Sequence, residues 1–324
     1  MYSRIAGTGS YLPEKVVTNF DLEKTMDTTD EWIRTRTGIE RRHIAAAGQT
    51  TVDIGEMAAR RAIEAAGVTP AEIDFIVFGT TTPDLVFPNC GTLLQARLGA
   101  RGCPAFSVET ACSGFIYALS IADKFIKAGE SKCALVVGAE TLSRITDWSD
   151  RNTAVLFGDG AGAVVLKPSA EPGVMSTHLH SDGEYKDLLY VASGVSTGFK
   201  VDPATNKVDI SIKMAGSEVF KVAVTKLGGA VDEALAANGL EKSAVNWLIP
   251  HQANIRIIAA MAKRLELPME RVIVTVQEHG NTSTASVPLA LDVGVRDGRV
   301  KRGDLLLLEA FGGGFTWGSA LIRY

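Results

Sequence analysis

Cys112 sits in the segment FSVETACSGFIYAL, where a short strand, Phe106 to Val108, gives way to an apolar helix. A helix start carries unsatisfied N–H groups and a partial positive charge, and both favour a thiolate over a thiol. Ser113 and Gly114 permit a tight turn with close substrate approach. The competing reading is a small buried cysteine, a common use of this residue, and the segment alone leaves both open. His251, in NWLIPHQANIRII, follows an apolar strand, where open α/β sheets hold functional groups; a structural histidine is the alternative. Asn281, in EHGNTSTASVPLAL, lies between strand-like VIVTV and a helix, so its amide serves either chemistry or helix capping. The run AFGGGFTWG, Phe311 to Gly318, brings backbone N–H groups close to a substrate oxygen, as an oxyanion hole requires, or simply packs a turn. Thiolate, imidazole, amide and glycine N–H form a set able to do acyl chemistry.

Other candidates are weaker. Cys90, Cys103 and Cys133 read as structural, and no CxxC pair is present, which fits free thiols in a reducing compartment. His279 reads as supporting or structural. His178 and His180 lack a nearby third ligand and read as a solvated strand, so no metal site is expected. FGDGAGAVVL lacks the Lys-Ser/Thr of a P-loop and leads into a strand, which excludes a nucleotide phosphate loop.

The elements that must position these groups alternate. IDFIVFGTT, KCALVVGAE, GAGAVVLKP, VNWLIPH, RVIVTV and DLLLLEAFGGG read as buried strands. Helical periods run over Thr51 to Ala66, Gly114 to Ala128, Ser217 to Asn238, Asn254 to Leu265 and Ser283 to Arg296. The pattern predicts an α/β fold. RAIEAAGVTPAEIDFIVFG also resembles EALAANGLEKSAVNWLIPH at an offset of 172 residues, which suggests duplicated halves, Met1 to Ser169 and Ala170 to Tyr324. Ser181 to Asp209 has weak periodicity and reads as an excursion at the start of the second half. The 324 residues carry a net charge of −4, which argues against general nucleic-acid affinity. No long apolar run suggests a membrane span or a signal peptide, so the cytoplasm is the expected location.

Together ETACSGF, PHQAN, GNTS and FGGGFTWG, in this order and spacing, resemble the β-ketoacyl-acyl-carrier-protein synthase III family, the initiating condensing enzymes of type II fatty-acid synthesis. The resemblance runs from GTGSYLPEKVVTN to the C-terminus. It implies a thiolase-like fold, two duplicated α/β halves of five strands each, packed as a five-layered αβαβα core, and a homodimer. It assigns Cys112 as acyl-accepting nucleophile, His251 and Asn281 as the decarboxylation pair, and the N–H groups of Cys112 and Gly313 as the oxyanion hole. The asparagine of GNTS points to the coenzyme-A-primed type rather than the elongating type.

By the same resemblance, Thr28, Trp32, Arg36 and Arg151 line the coenzyme A entrance. Phe87, Leu142 and Phe311 form the acyl pocket, with Phe87 reaching a partner subunit. Gln252, Ala253, Asn254, Ile255, Arg256 and Lys221 meet an acidic carrier protein, with Lys263, Arg264 and Lys213 extending the basic face. The implied reaction joins an acyl-coenzyme A primer to malonyl-acyl carrier protein with loss of carbon dioxide. Coenzyme A arrives as substrate, and no cofactor is implied. The alternatives are a condensing enzyme of secondary metabolism (polyketide, quinolone or long-chain ketone), a cysteine thioester hydrolase, and a non-catalytic acyl-binding protein.

Overall fold

The computed structural model describes the whole chain apart from residues 204–205. The strands that build its two main sheets are β1 (Tyr2–Tyr11), β2 (Phe75–Gly79), β3 (Ala105–Val108), β4 (Ala134–Thr141), β5 (Asp159–Ser169), β6 (Val174–Ser181), β7 (Trp247–Pro250), β8 (Leu305–Gly312) and β9 (Thr316–Arg323). The helices that position the site are α1 (Asp30–Thr37), α2 (Thr51–Ala65), α3 (Cys90–Leu98), α4 (Gly114–Lys127), α5 (Gly216–Ala237), α6 (Ile255–Arg264) and α7 (Ser286–Arg296).

The first sheet has the order β1-β5-β4-β2-β3 and the second β6-β9-β8-β7. Within each, the central pairs match: β4 runs parallel to β2 as β8 does to β7, and β5 antiparallel to β4 as β9 does to β8. Among the described residues, the second sheet has no counterpart of β3 beyond a single bridge, Leu248 to Val272. The sequence reads RVIVTV as a strand there, and Gln252 explains the difference. Its side chain accepts from the N–H groups of Thr275 and Val276 and donates to the Ile273 carbonyl, which takes up backbone groups that a ladder needs.

Five layers result. Helices α2 and α3 cover the outer face of the first sheet, α4 and α7 lie between the sheets, and α5 and α6 cover the outer face of the second. The middle layer is a continuous apolar core in which Phe115, Leu119 and Leu291 meet Val136 of β4 and Leu308 of β8. The strands are buried on both faces, which is why they read as near-continuous apolar runs. Truncating Phe115, which is fully buried, removes contacts to both sheets and should cost about 3–5 kcal/mol. Helix α2 starts where Thr50 and Asp53 cap one another reciprocally. No helix among the described residues is long and apolar enough to cross a membrane.

The excursion after β6 folds into short pairings, Leu189–Val191 with Ile212–Met214 and Val201–Asp202 with Lys207–Val208. Residues 204 and 205, within this excursion, lie outside the described residues.

Candidate active site

Cys112 lies in a 3-10 turn, Ala111–Ser113, immediately ahead of α4. Ala111 takes the left-handed conformation, φ 45°, which turns the chain sharply between β3 and the helix. Thr284 Oγ1 lies 2.7 Å from the Ala111 carbonyl and 2.8 Å from Glu140, so the turn is held by the other half of the molecule. Gly312, at the end of β8, backs onto the same turn. A Cβ there would stand 2.6 Å from the Cys112 backbone nitrogen, so only glycine fits. Ser113 Oγ lies 2.7 Å from Thr110 O and 2.8 Å from Thr316 Oγ1, which ties the turn to the glycine run. Burial pushes the Cys112 thiol up to about 12; a bond from Ser283 pulls the other way, as does the start of α4.

His251 follows Pro250 at the end of β7, and its N–H donates to the Glu309 carbonyl at 2.8 Å. Its Nδ1 lies 2.6 Å from Ser286 Oγ, at the start of α7. Burial holds the imidazole down to about 3, so it is neutral near pH 7. Asn281 is fixed by both backbone groups, its N–H donating to Leu156 O and its carbonyl accepting from Gly158. Its Oδ1 accepts from Ser283 N at 2.9 Å, leaving the Nδ2 donor for other partners.

Cys112, His251, Asn281 and Phe311 share one cavity of about 580 Å³, so the turn before α4 and the loops after β7 and before α7 converge on a single space. Glu309 also lines it. Toward the mouth lie Trp32, Arg36, Lys221, Asn254 and Arg256. Trp32 is flanked by two guanidinium groups, Arg36 at 4.5 Å and Arg151 at 4.7 Å from its ring centre. Arg256 lies over Phe220, 5.1 Å from the ring centre.

Several expected residues take other places. Thr28 is not in the cavity wall. Leu142 packs behind the wall against Phe157 and Ile212 rather than forming it. Phe87 is 83% exposed, beside exposed Leu85 and Val86, and away from this chain's own cavity. Gln252 is fully buried with its amide engaged, so it shapes the segment from beneath and offers no surface to a carrier protein. Ala253, Asn254 and Arg256 do line the mouth, while Ile255 packs against Gly38. Arg264 pairs with Asp232 and Lys213 with Asp209, which neutralises two cations of the expected basic face. Gly313 follows the Gly312 contact and packs against Leu189. His178 and His180 both meet Glu233, at 3.3 and 2.6 Å.

Sequence reasoning missed Ser286, Glu140, Glu309 and Phe220. Glu309 did leave a signal, an acid inside the apolar run LLLLEAF.

A free cysteine sharing one cavity with a buried neutral histidine and an asparagine, at the junction of two duplicated α/β halves, fits a thiolase-like condensing enzyme. Residues 106–183 match the 3-oxoacyl-[acyl-carrier-protein (ACP)] synthase III family model and residues 235–324 match its C-terminal model. The chain is 65% identical to a beta-ketoacyl-[acyl-carrier-protein] synthase III of Xanthomonas campestris, over 100% of this chain and 99% of that protein. Among solved structures, a 3-oxoacyl-[acyl-carrier-protein] synthase III of Aquifex aeolicus superposes with a TM-score of 0.92 at 48% identity, over 99% of this chain and 100% of that one. Its Pseudomonas aeruginosa counterpart does so with 0.92 at 40% identity, over 100% and 98%. The chain belongs to the β-ketoacyl-[acyl-carrier-protein] synthase III family, the acyl-transferring condensing enzymes of fatty-acid biosynthesis.

Proposed function

We propose that Cys112, His251 and Asn281 carry out the decarboxylative condensation of an acyl-coenzyme A primer with malonyl-acyl carrier protein. The observation behind this reading is the single cavity that all three line. The primer enters past Trp32, whose ring suits adenine, with Arg36 and Arg151 offering charge to phosphates. Cys112 Sγ attacks the thioester carbonyl, and the N–H groups of Cys112 and Gly313 receive the oxyanion. Coenzyme A leaves, and malonyl-carrier protein takes its place.

His251 is suited to the second half-reaction because it is neutral. With the Ser286 hydroxyl donating to Nδ1, the ring proton sits on Nε2, where it and Asn281 Nδ2 donate to the enolate oxygen formed as carbon dioxide departs. The enolate carbon then attacks the acyl-Cys112 carbonyl, giving 3-ketoacyl-carrier protein. The carrier protein docks at the mouth on Arg256 and Lys221, whose charge complements an acidic partner. Two copies of the chain pair, with Phe87 of each reaching toward the other's acyl pocket, and the enzyme works in the cytoplasm without a cofactor.

The nucleophile is tested by intact-mass measurement after incubation with acetyl-coenzyme A. Cys112→Ser should gain no acetyl group; a normally acetylated variant would refute the assignment.

A further inference from the structure

Glu309 lies on β8 in an unusual setting. Its side chain is fully buried, and neither carboxyl oxygen has a hydrogen-bond partner among the described residues. It nevertheless lines the cavity that holds Cys112 and His251. Packing does not require an acid here. Glu309 stands opposite Pro250 in the second sheet, and at the same register of the first sheet Val137 stands opposite Phe78, inside an apolar cluster. A carboxyl at this place carries a burial cost that a valine avoids.

Acylation has a proton to move. Cys112 must lose one before attack, and the departing coenzyme A sulfur must gain one. Burial leaves the thiol reluctant to ionise and His251 a weak base. Glu140 also lies near Cys112, but its oxygens are engaged by Thr80, Thr81, Thr82 and Thr284. The charged groups at the mouth, Arg36, Lys221 and Arg256, are cations. The α5 residues that share the cavity wall near β8, Ala223 and Leu227, are apolar, and the β9 neighbour of Glu309 is Ser319, bonded to Ala230. Of the titratable groups that line the cavity with Glu309, Cys112 and His251 are the two that do not belong to its cationic mouth.

We propose that Glu309 exchanges the proton of acylation. Its carboxylate takes the Cys112 Sγ–H proton, directly or across one water, as Sγ bonds to the acyl carbon. The resulting carboxylic acid gives that proton to the coenzyme A sulfur as the thioester C–S bond breaks. The net proton transfer is from Cys112 to coenzyme A, and Glu309 returns to its starting state. Burial raises this carboxyl to about 8, which keeps both its forms populated near neutrality, where a general base is most effective.

The proposal rests on Cys112 being the nucleophile, so peptide mapping of the acetyl group comes first; an adduct elsewhere would overturn that reading and this one with it. With the adduct on Cys112, acylation rates are measured by rapid-quench intact mass across pH. The wild-type rate should climb with pH and level off near pH 8. Glu309→Gln should acylate about tenfold or more slowly at neutral pH, with no plateau. Glu309→Asp, which keeps a carboxylate, should retain a plateau at an intermediate rate. A flat wild-type profile, or a Glu309→Gln profile that matches wild type, would overturn the proposal. The wild-type profile remains decisive even if a variant fails to fold.

Discussion

The turn before α4 and the turn before α7 are the same backbone device used twice. At an offset of 172 residues, Ala111 corresponds to Ser283, Cys112 to Thr284 and Gly114 to Ser286. Ala111 and Ser283 share the left-handed conformation, φ 45° and 49°, and each opens a 3-10 turn that leads into a helix. The surroundings differ. Cys112 faces a cavity with His251 and, behind it, Ser286. The counterparts of those two, Gly79 and Gly114, carry no side chains, and Thr284 fills the space they leave. One half thus presents a cysteine to the cavity and the other a histidine and its serine, while the remaining turn is a packed support. Duplication supplies the geometry, and in the function proposed above residue type decides which copy reacts.

The sharpest way to break this comparison is to move the thiol. Cys112→Ala should lower turnover on the order of a thousandfold or more. Adding Thr284→Cys should restore nothing, because Thr284 lies between Ala111 and Glu140 and outside the cavity wall. Acetylation of that double variant at residue 284, detected by mass mapping, would show the two turns to be interchangeable. Next in size is the histidine pair. His251→Ala should cut carbon dioxide release from malonyl thioester by about 10²–10³-fold while acetylation of Cys112 persists. Ser286→Ala should cost roughly tenfold, the worth of one orienting hydrogen bond. Equal losses in both half-reactions would mean that the imidazole is not confined to decarboxylation.

Much of this was legible in the chain. KCALVVGAE and DLLLLEAFGGG showed their strands because both faces are buried, and the repeat announced the two halves. Local pattern failed where one side chain overrides the backbone. RVIVTV has strand composition, yet Gln252 takes up N–H and carbonyl groups within it, at Ile273, Thr275 and Val276. The same burial withdraws Gln252 from any carrier surface. Glu309 was passed over because an apolar run hides a single acid, and only the cavity gives that acid a meaning. Arg264 and Lys213 read as free cations because their acidic partners, Asp232 and Asp209, are joined to them by folding rather than by a visible motif.

Two buried groups at the site should tilt stability in opposite directions with pH. The folded protein holds His251 at about 3, below its ordinary 6.5, so the unfolded chain binds the extra proton between these values. Stability is therefore lost as pH falls from about 6.5 toward 3. Glu309 is raised from 4.5 to about 8, so here the folded protein holds the extra proton. Its stabilising share is complete below about 4.5 and is lost as pH rises through 8. Each slope is on the order of 1 kcal/mol per pH unit. Denaturant titrations across pH should show the acid slope flattened in His251→Asn and the neutral slope flattened in Glu309→Gln. Unchanged slopes would mean that these groups are less buried in solution than their geometry implies.

The smallest expected effect tests the quiet half of the comparison. A Cβ added at Gly79 would stand 2.7 Å from Thr284 Cγ2 and 3.1 Å from the Gly114 backbone. Gly79→Ala should therefore destabilise the protein by about 1–3 kcal/mol through overpacking. Thr284→Ser removes the clashing methyl while keeping the hydroxyl that holds Ala111, at a cost of about 0.5–1.5 kcal/mol alone. Combined, the two should cost less than their sum, because the new methyl occupies the space the old one vacates. Recovery should be partial, since the contact with the Gly114 backbone remains. The double-mutant cycle, read from denaturant midpoints, measures that coupling directly. Strict additivity would mean that Gly79 is not kept bare for Thr284, and the first half's glycines would then need another explanation than making room for the counterpart of Cys112.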